Sequence, residues 1–162
     1  MMRRAGFCNV PVSQRGVGLI EVLIAVLVLS IGFLGMAALQ ARSLSMNNSA
    51  MARSMATMDS YSILDAMRAD LVSAQNGNYN TSTPVKASAC PAATGTLAGA
   101  QLTQWCNQLA LNLGASASTT GTINCTGSPG ICTIKVTYDD SKSVSAATDT
   151  SGTQTVTTQA ML

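Results

Sequence analysis

Glu21 is the side chain whose chemistry fits its surroundings least. After it, the chain from Val22 to Leu39 carries no charged residue, and Ser30 is its one polar side chain. A helix of that length can cross a bilayer with some tilt. A carboxylate in the hydrocarbon of the bilayer costs about 2.5–3.5 kcal/mol on membrane-insertion scales. Glu21 is therefore predicted to have a functional role.

Four cysteines follow this apolar run. An even number of cysteines in a small domain outside the cytoplasm indicates two disulfides, and three connectivities are possible. We favour Cys125–Cys132, because Thr126 to Gly130 between them is typical of a turn. That choice leaves Cys90–Cys106. The spacings do not match those of zinc ligands.

The remaining residues offer little for catalysis or metal binding. The chain has no histidine, the commonest general base and metal ligand, and no glycine-rich phosphate loop. Asp139, Asp140 and Asp149 could bind calcium, but their spacing matches no calcium loop, and a solvated turn is preferred. The sequence predicts no enzyme, no metal site and no cofactor.

The distribution of charged residues predicts how the chain is oriented in the membrane and argues against nucleic-acid binding. Arg3, Arg4 and Arg15 precede the apolar run and no acidic residue does, so residues 1–16 are expected to be cytoplasmic and the chain after about Gln40 outside. Without those arginines, six basic residues stand against seven acidic ones. That balance argues against an electrostatic nucleic-acid surface.

Other membrane-directing segments fit less well. A secretory signal peptide would have a shorter apolar region, and Glu21 would interrupt it. Cys8 could suggest a lipoprotein, but no apolar segment precedes it. A plain membrane anchor remains an alternative that leaves Glu21 without an explanation.

The helix is expected to continue past the membrane. From Gln40 to about Ala74 there is no proline or glycine, and Gln75 to Asn78 supply a stop. Four residues share one face at helical spacing; they are Leu44, Met51, Met55 and Met58. We interpret this stripe as adaptable core filler, with a plastic interface for several partners as the alternative.

A second stripe lies further along the same helix, on a different side. It contains Ile63, Met67 and Leu71. We expect this side to pack against the protein's own head. Gly32 and Gly35, in the apolar part, indicate either close helix packing or a locally weakened helix.

Residues 75–162 are predicted to form a small α+β head with an antiparallel sheet. We expect a short helix over Thr96–Leu113, a hairpin of Thr119–Asn124 and Ile131–Tyr138, and a last strand over Thr153–Met161. The helix residues expected to face a core are Leu97, Leu102, Trp105, Leu109 and Leu113. Trp105 is interpreted as an anchor in that core, rather than as an exposed ligand-binding aromatic.

The N-terminal motif resembles the class III leader of type IV prepilins: Arg15-Gly16, a glutamate five residues after the glycine, then a long apolar helix. Further segments resemble the PilV family of minor pilins, the type IV pilus modification proteins. These segments are Gly18–Leu23, Leu29–Gly35, Leu39–Ser43 and Ser62–Asp70. The resemblance covers roughly the first half of the chain.

The resemblance implies specific roles for three residues. A membrane peptidase would cut after Gly16 and methylate the new N-terminus, Val17. The usual first residue of mature chains in this family is phenylalanine. Valine at position 17 is therefore expected to affect the efficiency of methylation and not the cleavage itself. We hypothesise that Glu21 neutralises the α-amino group of a neighbouring subunit and so sets the register of assembly.

The resemblance also implies a pilin-like α+β fold in four parts. Residues 1–16 would be a removed leader and 17–39 a transmembrane or filament-core helix. Residues 40–74 would be the soluble half of that helix, and 75–162 a periplasmic head. The chain would sit in the inner membrane with its N-terminus cytoplasmic, and later in the pilus at the cell surface.

The expected function is that of a minor pilin that enters or caps the fibre and helps to prime its assembly. Its partners would be other minor pilins, the major pilin, the prepilin peptidase and the inner-membrane assembly platform. One alternative is a minor pseudopilin of a type II secretion system. Another is a tip adhesin or DNA-uptake pilin, although the low charge of the head gives DNA binding little support.

Overall fold

The computed structural model describes residues 16–127, 130–141 and 152–162. It contains a long helix α1 (Leu19–Ala69), a short helix α2 (Leu71–Gln75) and a helix α3 (Leu97–Leu113). Its strands are β1 (Val85–Lys86), β2 (Thr120–Gly127), β3 (Gly130–Asp139) and β4 (Thr153–Met161). A long N-terminal helix with a small antiparallel sheet and two disulfides is an α+β, pilin-like architecture.

The chain divides into two compact units, the first ending at Gln40 and the second beginning at Ala41. In the first unit, the described residues comprise Gly16 to Gln40, helical from Leu19 onward. The apolar side chains of this part are exposed. The second unit holds the remainder of α1, the other helices, the sheet and the disulfides.

Helix α1 ends earlier than the sequence predicts. Continuity to about Ala74 was expected, but Asp70 has φ −124° and ψ 57° and separates α1 from α2. The Tyr79 hydroxyl donates to the Asp70 carboxylate over 3.2 Å. Burial, reinforced by the Asp70 charge, raises the pKa of Tyr79 to about 12, so the hydroxyl keeps its proton. The interruption turns Leu71 to solvent, so its expected place in the buried stripe was wrong.

The sheet is an antiparallel meander in the order β1-β2-β3-β4. The hairpin of β2 and β3 and the last strand β4 lie where the sequence predicts them, although β2 continues to Gly127, past the expected end at Asn124. In β3 the buried hydrophobic side chains are those of Cys132, Ile134, Val136 and Tyr138. The short strand β1 was not predicted, because two residues carry no periodic signal.

The core of the head lies between the sheet, α3 and the C-terminal part of α1. Helix α1 contributes Ile63, Leu64 and Met67, all buried. Helix α3 contributes Trp105 and Leu109, whereas Leu97, expected to face the core, is exposed in the first turn. Leu97 follows the N-cap, where the Thr96 hydroxyl accepts a hydrogen bond from the Gly99 N–H over 3.1 Å.

Trp105 is the centre of this core. Its indole N–H donates to the backbone carbonyl of Asp59 over 3.0 Å, which ties α3 to α1. Its ring lies so close to β2 that a Cβ placed at Gly121 would be 2.4 Å from Trp105 Cη2. The expected anchor is therefore confirmed, and this close approach requires a glycine at position 121.

Two disulfides stabilise the head, one at helix α3 and one between strands β2 and β3. Cys90 bonds to Cys106 and so fastens the segment before α3 to that helix. Cys125 bonds to Cys132, and these residues lie directly opposite each other on β2 and β3. These are the pairs that the sequence favours.

Candidate functional site

The N-terminal segment carries the residues for which the sequence predicts a role. Gly16 and Val17 lie before the first turn of α1, and Glu21 lies in that turn. The Glu21 N–H donates to the Gly18 carbonyl over 3.0 Å. An acidic side chain in the first turn is favoured by the helix dipole. This dipole contribution does not compensate for removing the carboxylate from water.

Glu21 lies at the start of a surface that the described chain does not cover. Every described side chain from Gly16 to Gln40 is exposed, although most are large and apolar. Within the residues that the structure describes, no cation is in salt-bridge contact with the Glu21 carboxylate. By length and composition α1 is able to cross a membrane. This segment therefore presents an uncovered apolar surface with a carboxylate at its start.

The stripe of Leu44, Met51, Met55 and Met58 forms a second exposed surface, on the second unit. Leu44, Met51 and Met58 are 63%, 60% and 64% exposed, and Met55 is half-buried. The interpretation as core filler was wrong for these three residues. The face of α1 that packs on the head lies about a quarter turn or more away, at positions such as Ala56 and Ile63. Within the described ranges, Leu44, Met51 and Met58 face solvent.

Asp139 and Asp140, considered above as calcium ligands, are engaged by the protein itself. The Asp139 carboxylate accepts the Ser141 N–H over 2.9 Å, and Asp140 accepts the Ser49 hydroxyl over 2.7 Å. Asp149, the third expected carboxylate, lies outside the described residues. Among the residues that the structure does describe, no group of three or more His, Cys, Asp or Glu side chains could hold a metal.

Asp59 is a buried carboxylate that the sequence analysis did not identify. One carboxylate oxygen accepts the Asn112 side-chain amide over 2.8 Å. The other oxygen is buried without a hydrogen-bond partner in the described structure. Burial raises the pKa of Asp59, and the Asn112 hydrogen bond lowers it by less. Helical spacing could have revealed its burial, because Asp59 lies three residues after Ala56 and four before Ile63, on the buried face of α1.

Asp59→Asn is expected to stabilise the head at neutral pH. The folded pKa lies above the unfolded value of about 3.9, so the folded state holds the proton more tightly. The stability that this proton contributes is complete below the unfolded pKa and is lost as pH rises through the folded pKa. Asparagine stays neutral and keeps an acceptor for Asn112, so the variant should gain most above that pKa. Urea unfolding of the full chain at acid and neutral pH measures the difference.

Asp65→Asn is the matched control, because Asp65 is an exposed carboxylate on the same helix, paired at the surface with Arg68. The difference in unfolding free energy between this variant and the parent should be small at both pH values. An Asp59→Asn gain that is equal at both pH values would contradict a raised pKa for Asp59.

The N-terminal segment also matches a known family model. A model described as the prokaryotic N-terminal methylation motif matches residues 12–37, which include Gly16, Val17 and Glu21. No curated protein and no solved structure matches the chain. The matched motif and the α+β fold together support a type IV pilin-like protein, anchored through a long apolar N-terminal helix.

Proposed function

We propose that this chain is a minor pilin of a type IV pilus, of the PilV kind, that enters or caps the fibre and helps to prime its assembly. The observation that carries the proposal is the methylation motif over residues 12–37, of which the part from Leu19 onward lies on an apolar helix with exposed side chains. The proposed role is structural and not enzymatic. The chain itself is the substrate of a prepilin peptidase, which cuts between Gly16 and Val17 and methylates Val17.

Cleavage creates the cation that Glu21 lacks. A free α-amino group has a reference pKa of about 7.7–8.0 and is largely protonated at neutral pH. When helices of neighbouring subunits pack side by side, the Glu21 carboxylate of one subunit meets the Val17 amine of the other. In a low dielectric this pair is stabilised far more than in water. The pairing sets the axial register, because a shifted helix leaves two buried charges without partners.

The exposed stripe of Leu44, Met51, Met55 and Met58 supplies further contacts with the major pilin and other minor pilins. Unbranched methionine side chains adapt to differently shaped neighbours. Such adaptability suits a subunit that meets several related partners. The inner-membrane assembly platform would hold the subunit before these contacts form.

The proposed location is the inner membrane, with the N-terminus cytoplasmic and the head periplasmic, and then the pilus. The three arginines before the apolar run support this orientation. The disulfides Cys90–Cys106 and Cys125–Cys132 support an oxidising compartment for the head.

A minor pseudopilin of a type II secretion system is the second candidate, because the same methylation motif fits it. Deletion of the chain separates the two. We expect loss of surface pili and of twitching motility, with normal release of secreted proteins. Complementation with the parent chain should restore both. Loss of protein secretion with normal piliation would contradict the pilus assignment and support the pseudopilin.

A further inference from the structure

The outer face of the sheet carries an open groove of about 980 Å³, which we call the outer groove. It lies on the face turned away from the core, since the alternate side chains of β3 are buried on the other face. Hydroxyl and amide side chains form its floor; they are Thr122 and Asn124 of β2, Thr133 of β3, and Thr157 and Gln159 of β4. Such groups both donate and accept hydrogen bonds.

Lys135 of β3 is the cation of the outer groove. Its side chain is exposed, and it lies opposite Thr122 on β2 and Thr157 on β4. Within the described ranges no carboxylate is in salt-bridge contact with its ammonium group, and no acidic residue lines the groove. Asp139, on the same face of β3, is four residues and so about 13 Å along the strand. The groove therefore presents one positive charge among neutral polar groups.

A short segment before β1 forms one wall of the outer groove and is fixed to β2 by four hydrogen bonds. The Thr81 N–H donates to the Ile123 carbonyl over 2.9 Å, and the Thr81 hydroxyl accepts the Ile123 N–H over 3.0 Å. The Asn80 side chain donates to the Cys125 carbonyl over 3.1 Å and accepts the Cys125 N–H over 2.7 Å. The Cys125–Cys132 disulfide also joins β2 to β3. A wall and floor fixed in this way lower the entropic cost of binding a ligand.

We propose that the outer groove binds an oligosaccharide in which one carboxylate-bearing sugar lies between neutral sugars. The carboxylate pairs with Lys135, between Thr122 and Thr157. The hydroxyls of the neighbouring sugars both donate and accept hydrogen bonds, which matches the hydroxyl and amide groups of the floor. The Gln159 amide already donates to the Thr133 hydroxyl over 3.2 Å, which leaves the proton of that hydroxyl to donate to a ligand.

Charge complementarity favours this ligand over other anions. A nucleic acid, or a polymer with an acid on every sugar, brings several negative charges close together and needs clustered cations, whereas the outer groove has Lys135 alone. A peptide needs a strand edge, an apolar groove or an arginine cluster, whereas the floor of this groove is polar. The inference goes beyond the proposed function and does not depend on it, because the groove lies in the head and takes no part in N-terminal processing.

Retention of the purified full chain, kept in detergent, on immobilised oligosaccharides tests the proposal. The oligosaccharides are matched pairs that differ only by one uronic or sialic acid among neutral sugars. Polygalacturonate, DNA and polyglutamate are included as anions of higher charge density. We expect at least one acidic oligosaccharide to retain the chain at least about tenfold better than its neutral partner, because a charge-assisted hydrogen bond is lost with the acid.

Lys135→Ala should abolish the preference for the acidic member of each pair, and Lys135→Arg should retain it because the positive charge remains. Lys86→Ala is the matched control, since Lys86 is an exposed lysine of β1 outside the outer groove; it should bind as the parent does. Thr122→Val keeps the shape of the side chain and removes a floor hydroxyl, so it should weaken retention on the acidic oligosaccharide. Circular dichroism checks that each variant is folded.

Four results would overturn the proposal. They are equal retention of Lys135→Ala and the parent, equal retention on acidic and neutral partners, retention on polygalacturonate, DNA or polyglutamate alone, and no retention on any oligosaccharide. Retention on polyglutamate alone would indicate an acidic peptide as the ligand instead.

Discussion

Glu21→Ala is expected to reduce incorporation of this chain into assembled pili by at least about tenfold. Membrane insertion and cleavage after Gly16 should remain normal, because neither needs the carboxylate. Removing one partner of a buried charge pair leaves the other charge uncompensated, at about 3–5 kcal/mol. The α-amino group of the neighbouring subunit would be left in that position. Immunoblots of sheared pili against the membrane fraction measure the effect.

Ser30→Ala is the control on the same apolar helix. Its hydroxyl donates to the Val26 carbonyl over 2.7 Å within one turn, so its loss should not affect packing between subunits. Glu21→Gln retains the shape of the side chain and should be as defective as Glu21→Ala. Normal incorporation of either Glu21 variant would show that the carboxylate does not set the register.

Trp105→Ala is expected to lower the free energy of unfolding of the head by about 3–5 kcal/mol, the usual cost of truncating a buried large aromatic. The variant loses the packing of the ring against Gly121. It also leaves the Asp59 carbonyl without its indole donor. Because Trp105 is the sole tryptophan, the variant has no tryptophan fluorescence with which to follow unfolding. Circular dichroism and protease resistance of the full chain are therefore the appropriate measurements.

Leu97→Ala is the matched control, since Leu97 lies on the same helix and is exposed. It should change the free energy of unfolding by less than about 0.5 kcal/mol. If Trp105→Ala were no less stable than Leu97→Ala, the assignment of Trp105 as the anchor between α3 and α1 would be wrong.

Much of the fold could be predicted because its signals are periodic. Alternation in Ile131–Tyr138 predicted the strand β3, and the proline-free run predicted the length of α1 to within a few residues. Cysteine spacing around a turn favoured the Cys125–Cys132 pair. These signals are local, so a single sequence carries them.

The rest depends on contacts between distant parts of the chain. The interruption at Asp70 accompanies a contact with Tyr79, and nothing in the helical propensity of the segment indicates it. The exposure of the methionine stripe depends on which side of α1 the head occupies. Asp59 was missed because a charged residue at a buried position contradicts the hydrophobic pattern that sequence analysis follows.

The candidate site was predicted from residue types alone. Glu21 in an uncharged run is anomalous in any fold, so the sequence identifies it without a structure. What the structure adds is that the described chain offers Glu21 no cation and leaves the apolar helix uncovered. Both observations favour an assembly role.

Mass spectrometry of the N-terminus of the membrane-extracted protein shows whether the chain is processed as a prepilin. We expect a mature chain that begins at Val17 and carries one methyl group on its α-amino nitrogen. A chain that retains Met1, or that begins near Arg42 after the apolar run, would contradict prepilin processing and with it the role assigned to Glu21.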